Sequence, residues 1–279
     1  MKFTIFVLIA LTIVTVFITG FWDYLNELIF PNSKWGLYDR DFFENLLVEL
    51  HGGIIDLLIV SVLLFWFDSR RTKKELITKL KSEISSLKYY YGPDASFKFY
   101  AKLRYLLSLG VPNVSVPDGN MMGIKIESLS LTKSNLIAVN FSESTLIKVK
   151  FQKCNLEASQ FKGSKLKHCE FHNVNLNRSK FIKAQLKGMN FETCKLENVT
   201  FRECSLESAI FKGVDCTGVS FEGSNLRSAN FKGVNCTGVS FKGANLRSAN
   251  FKGASNITKE IILEASNYER ITLPDGLNL

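Results

Sequence analysis

Glu49, His51 and Asp56 are the residues best suited by type to do chemistry, because they stand in or beside an apolar run, Leu50–Phe67, where an ionisable side chain is costly and marks a functional candidate. Glu49, Gly52, Gly53 and Asp56 fall at i, i+3, i+4 and i+7, on one helical face. Thr12, Thr15 and Thr19 form a polar stripe in an earlier apolar run. Carboxylates and a histidine so spaced can hold a proton or an ion between packed helices, and glycines let a second helix approach closely. The pattern also suits a plain packing contact near the outer interface, with Asp56 partly hydrated. Elsewhere no catalytic spacing appears: G-x-S-x-G, a Walker loop, H-E-x-x-H and G-x-G-x-x-G are all missing. Outward carboxylates are scattered rather than paired. The expectation is a non-enzyme with no catalytic residue, no metal and no cofactor.

These candidates need elements to position them, and composition bounds what those can be. The chain has 279 residues, 46% hydrophobic and 22% charged, with 23 Phe and 18 Gly. That excludes a disordered chain and a collagen-like fibre. Six Cys in so long a chain are too few for a disulfide-stapled scaffold. The net charge of +9 invites a nucleic-acid or anionic-membrane partner.

Phe3–Trp22 is a run of twenty uncharged residues, enough to cross a hydrocarbon core of about 30 Å. It is longer than the core of a cleaved signal peptide and lacks a good small-residue cleavage site, so an anchor is expected. Leu50–Phe67, eighteen residues with Asp56 inside, reads as a second span. Residues 23–45 carry a net −3 and residues 68–90 a net +4. The positive-inside rule then places the N-terminus and everything after Phe67 in the cytoplasm of a bacterial inner membrane, with the acidic loop outside. Residues 1–67 are thus a two-span transmembrane hairpin. Residues 68–120 form a helical linker and N-terminal cap. Within it, Ile77, Leu80, Ile84 and Leu87 make a short a/d seam that suits a juxtamembrane coiled coil. Gly92-Pro93-Asp94 breaks the helix, and residues 95–109 form a second, amphipathic one.

From about residue 121 to 255 the chain acquires a period. Phe recurs every ten residues from Phe141 to Phe251, and Leu alternates with it from Leu136 to Leu246, Cys216 and Cys236 filling two slots. A small residue stands two positions before each. A period of five fits neither 3.6 nor 2. It fits a chain that turns a corner every five residues and points the same two positions inward. Residues 211–230 and 231–250 differ at three positions only, so twenty residues make one closed coil of four sides. Residues 126–255 are 6.5 such coils, a rod about 30 Å long. All six Cys sit at inward positions, where each serves as a small buried hydrophobe.

Ala244-Asn245-Leu246-Arg247-Ser248 and Ala249-Asn250-Phe251-Lys252-Gly253 match the pattern A-[D/N]-L-x-x, as do Ser224-Asn225-Leu226 and Ala229-Asn230-Phe231. In this the chain resembles the pentapeptide repeat family. The resemblance covers nearly half the chain and implies an all-β right-handed quadrilateral β-helix, here preceded by the α-helical anchor. Such rods are often dimeric or capped by a helix, and residues 256–279 supply a C-terminal cap helix and tail. Some members are acidic DNA mimics that protect gyrase from quinolones. This chain departs from them in the sign of its charge and in its anchor.

Residues 121–255 carry a net +10. Lys212, Lys232 and Lys252 stack in one outward column, and Arg227 and Arg247 in another. These are candidate anion-facing columns, or else a solvated basic surface that keeps the coils soluble. The reading that follows is a membrane-anchored scaffold presenting the β-helix to a protein partner not named by the sequence. The alternatives are an oligomerising, membrane-permeabilising effector with the repeat as sensor, and binding of nucleic acid or anionic lipid by the basic columns. A homo-oligomer suits the intramembrane carboxylates, whereas nucleic acid is the less favoured partner.

Overall fold

A computed structural model of the chain describes residues 2–29, 40–87, 90 and 94–279. Residues 30–39, the middle of the acidic loop with Lys34 and Asp39, and the Gly92-Pro93 break lie outside the described residues. The chain divides into two compact units, Met1–Thr78 and Lys79–Leu279.

The first unit is helical. Helix α1 (Lys2–Gly20) is followed by a turn at Phe21, then α2 (Trp22–Ile29), then α3 (Arg40–Leu87). The run expected to be one span, Phe3–Trp22, is thus interrupted at its end. The second expected span is embedded in α3, a helix of 48 residues. It holds no proline, and Gly52 and Gly53 cost only about 1 kcal/mol each relative to alanine. Among the described residues one helix, Asp41–Leu87, is long and apolar enough to cross a membrane by length and composition. Length and composition thus support one of the two expected spans.

The second unit is a parallel β-helix whose neighbouring coils pair residues twenty apart, as in Lys125↔Thr145 and Leu131↔Phe151. Six three-residue strands form two sheets in the first coils. One is β1 (Lys125–Glu127), β3 (Thr145–Ile147) and β5 (Lys165–Lys167). The other is β2 (Ser130–Thr132), β4 (Lys150–Gln152) and β6 (Glu170–His172). Beyond them the ladder continues as single bridges. It begins at Ser115↔Asn135 and ends at Asn250↔Thr272, so the coils extend past the periodic segment at both ends. Backbone pairing does not require Leu or Phe, which is why the side-chain pattern understates the length.

Each five-residue unit has a chemical rationale. The Phe or Leu and the small residue two before it point inward and are buried. Phe rings stack from coil to coil, as in Phe161–Phe181 (4.4 Å between centroids) and Phe231–Phe251 (4.7 Å). The residue two after the inward Phe or Leu turns the corner with a positive φ, Gly213 at 70° and Lys148 at 54° for example. The Asn before the inward residue accepts the backbone N–H two residues on, as Asn155 Oδ1 does from Glu157 N (3.2 Å). That Asx turn braces the corner and explains the Asn of the repeat.

At the first end α4 (Ala95–Ser108) lays Phe99, Leu103 and Leu106 over the coil. A Cβ at Gly119 would stand 2.5 Å from the Phe99 ring, so only glycine admits this contact. Leu80 and Ile84 are buried here as well, and Lys102 pairs with Glu83 at 2.6 Å. The a/d seam is therefore used by the cap itself rather than left for a coiled coil. At the other end the Thr258 side chain accepts from Ile261 N and caps α5 (Lys259–Leu263). Leu246 N donates to Asn267 O and Phe251 N to Thr272 O, so the tail completes a final coil.

Candidate anion-facing columns and intramembrane polar residues

Arg227, Arg247, Lys232 and Lys252 each follow an Asn by two residues, and that Asn holds the backbone amide. Asn225 and Asn245 accept from Arg227 N and Arg247 N (3.3 and 3.1 Å), and Asn230 and Asn250 from Lys232 N and Lys252 N (3.1 and 3.0 Å). The corner is rigid while the long side chain above it is free to meet a ligand. Lys212 follows Ile210, lacks that brace, and leans toward Glu192 at 3.8 Å. Arg247 lies 3.6 Å from Glu269. Arg227, Lys232 and Lys252 have no ion-pair partner among the described residues. The Arg column lies on the corner before one side of the rod, and the Lys column on the corner after it. The two columns therefore border the same side, whose centre is β2, β4, β6, Asn190, Ile210, Asn230 and Asn250.

The polar residues of the first unit fall on two faces. Thr19 Oγ1 meets His51 Nε2 at 3.4 Å, and Trp22 Nε1 donates to Glu44 Oε1 at 3.2 Å. Leu47, His51, Ile54, Leu58 and Ser61 form a half-buried stripe on α3, matched by Thr12, Thr15, Ile18 and Thr19 on α1. Glu49, Gly52, Gly53 and Asp56 are all exposed, on the opposite face of α3. Only His51 joins the threonine stripe; Glu49 and Asp56 do not.

Two features escape the sequence pattern. The inward small position is more than small: Ser179 Oγ donates to Leu156 O (2.7 Å) and Ser159 Oγ to Leu136 O (3.0 Å). Cys154 and Cys169 reach the equivalent carbonyls of Leu131 and Leu146 at 3.3 and 3.4 Å. A thiol here is a weak donor standing in for a hydroxyl, and the alternation of Ser and Cys at one position was its signal. Burial pushes the thiols of Cys194, Cys204 and Cys236 up to about 12, and that of Cys216 higher than its ordinary value too. All six cysteines are buried and free.

The second feature is a notch. Among the described corners from Asp118 to Gly253, Thr193 alone lacks a positive φ. A β-branched residue resists that region. Thr193 Oγ1 instead accepts from Asn173 N at 2.9 Å. Around it no bridge joins Glu170 to Asn190 or Lys195 to Asp215 among the described residues. Phe171 and Phe191 are 6.0 Å apart, and a surface cleft opens between Lys153, Asn155, Asn173, Asn175, Thr193 and Lys195.

The coil geometry has a counterpart in sequence. The family model described as pentapeptide repeat region matches residues 113–181 and 184–258, more than half of the chain. The chain belongs to the pentapeptide repeat family. Its members are in general non-enzymatic structural or interaction proteins, and the right-handed β-helix is their fold. Among solved structures, HetL, a pentapeptide repeat protein involved in heterocyst differentiation regulation from the cyanobacterium Nostoc sp. strain PCC 7120, is 15% identical. The match covers 63% of this chain and 97% of HetL, with a TM-score of 0.35. QnrB1, a plasmid-mediated fluoroquinolone resistance protein, is 16% identical over 58% of this chain and 80% of its own, with a TM-score of 0.36. Rfr23 from the cyanobacterium Cyanothece 51142 is 16% identical over 62% and 99%, with a TM-score of 0.24. At such scores the superpositions carry no argument, and family membership rests on the sequence match. No curated protein matches the chain.

Proposed function

We propose that this pentapeptide repeat protein is a non-enzymatic scaffold, anchored in a bacterial inner membrane by a hairpin of α1 and α3 and presenting its β-helix to a protein partner in the cytoplasm. The observation that carries this reading is the surface of α3. Phe65, Trp66 and Phe67 are 46%, 45% and 59% exposed, and Asp68-Ser69-Arg70-Arg71 follows, the two arginines backed by Lys73 and Lys74. An exposed apolar helix ending in cations suits lipid on one side and anionic headgroups on the other. Fractionating cells without detergent tests it. The chain should stay in the membrane pellet through an alkaline carbonate wash, and its recovery in the soluble fraction would overturn the anchor.

A second reading is favoured by the outward face of α3. Asp56 stands eleven residues before Phe67, about 16 Å along the helix and so near mid-depth in a bilayer. A carboxylate pointing away from its own hairpin at that depth suits self-association, as an oligomerising effector would require. Replacing Asp56 by Leu should then abolish membrane permeabilisation by the overexpressed chain. Permeabilisation that survives the change would remove this reading.

A further inference from the structure

The two basic columns border one side of the rod, and that side is unlike the one opposite. Residues 127–133 and their equivalents at every twenty, up to 247–253, make up the side and its two corners. They hold eleven Lys or Arg and four Glu. The opposite side, residues 137–143 and equivalents up to 237–243, holds six Lys or Arg and five Glu. The difference, +7 over seven coils against +1 over six, arises on a single repeated backbone. Between the cationic corners runs a flat floor of parallel backbone, with Asn190, Asn230 and Asn250 on it. In the last coils cations recur along each corner about every 4.8 Å, and the corners stand about 10 Å apart across three extended residues.

We propose that this side docks flat on the anionic lipid headgroups of the membrane that holds the chain. The inference rests on the membrane-anchored reading and deepens it by naming the surface turned to the leaflet. It leaves the near-neutral opposite side to a protein partner. Shape and chemistry decide among anions. The Phe, Tyr or Trp residues in these windows are the inward Phe151, Phe171, Phe191, Phe211, Phe231 and Phe251, all buried. Single strands are held by stacking on exposed aromatics in a groove, and this floor has neither. A flat lattice of side chains with lysine reach matches a plane of phosphates, each cation strengthening contact about fivefold.

The test uses the full chain in vesicles whose headgroups carry a quencher, made from neutral or from part-anionic phospholipid. A fluorophore is attached at Asn230→Cys on the basic side or at Ser220→Cys on the opposite side, the six native thiols being buried. In anionic vesicles the label at 230 should be quenched and that at 220 spared, with no difference between them in neutral vesicles. Replacing Lys212, Lys232 and Lys252 together by Gln should lower the docked-to-free ratio about a hundredfold. The control replacing Lys162, Arg202 and Lys242 by Gln should leave it unchanged. Equal quenching at the two positions, or indifference to the first triple change, overturns the proposal. So does a DNA oligonucleotide that displaces the label at 230 and binds the chain as well without lipid. Failure to float with neutral vesicles overturns the anchor; side-selective quenching in anionic vesicles would still uphold the docking side.

Discussion

Phenylalanine lives in opposite surroundings in the two units. In the coil Phe201, Phe211 and Phe231 are fully buried, each ring stacked on those of the coils above and below, whereas in α3 Phe65 and Phe67 are about half exposed. Lysine and arginine do the reverse in the coil, standing outward on every basic corner. Residue type alone therefore does not decide burial. The coil closes on itself every twenty residues and makes its own interior. A helix of 48 residues cannot enclose anything, and before Asp68 α3 shows most of its apolar side chains to whatever solvent surrounds it.

The sharpest way to break this contrast is to delete the same ring in both places. Phe211→Ala should destabilise the coil by about 3–5 kcal/mol, because the stacked neighbours cannot collapse into the gap. Phe65→Ala should change stability by less than about 0.5 kcal/mol, as expected of a surface position. Denaturant unfolding of the detergent-solubilised chain, followed by a probe in the coil, measures both. Equal losses would show that α3 is packed rather than lipid-facing.

A smaller effect should appear with pH. The thiols of Cys194, Cys204 and Cys236 are held near 12 by burial, against an ordinary value near 9 in the unfolded chain. The folded state thus binds their protons more tightly. Their contribution to stability is whole below about pH 9 and is lost as the pH rises from there toward 12. The thermal midpoint of the coil should fall over that window, and a Cys194→Ser, Cys204→Ser, Cys236→Ser chain should fall less. The helices of residues 1–78 contain no cysteine, so their ellipticity should not follow this transition.

The smallest effect concerns the notch. Thr193→Gly lets the corner adopt the positive φ of its neighbours but gives up the bond from Asn173 N and adds freedom to the unfolded chain, so stability should change by less than about 1 kcal/mol. Amide exchange at Phe171 and Asn190 should slow as their ladder step forms. Unchanged exchange there would mean that Thr193 does not cause the gap.

Much of the coil was legible in the residues because a five-residue period leaves few other solutions. Phe141 to Phe251 and the small residues two before each inward side chain determine the interior. The corners were less legible. A positive φ is supplied by Gly213 and Gly223 but equally by Lys148 and Glu143, since local hydrogen bonding and the closed ladder tolerate a strained corner residue. The candidate site was legible as two columns, Lys212–Lys232–Lys252 and Arg227–Arg247, from spacing alone. The five-residue step from Arg227 to Lys232 also puts the two columns on consecutive corners, whereas the paired backbone that runs flat between them was not legible, because hydrogen bonding between coils leaves no mark on the period.

By itself the sequence determined the inward set, the twenty-residue coil, the apolar helices and the family. Each of these follows from repetition or from length, which are properties of order along the chain. The tertiary structure alone decided that a ladder of paired backbone runs between the two basic columns and that the Asp56 face of α3 turns away from the Thr19–His51 contact. It also decided that one β-branched residue at a corner opens the ladder between two coils. Each of these depends on which residues far apart in the chain become neighbours, and that is settled only when the backbone closes its hydrogen bonds.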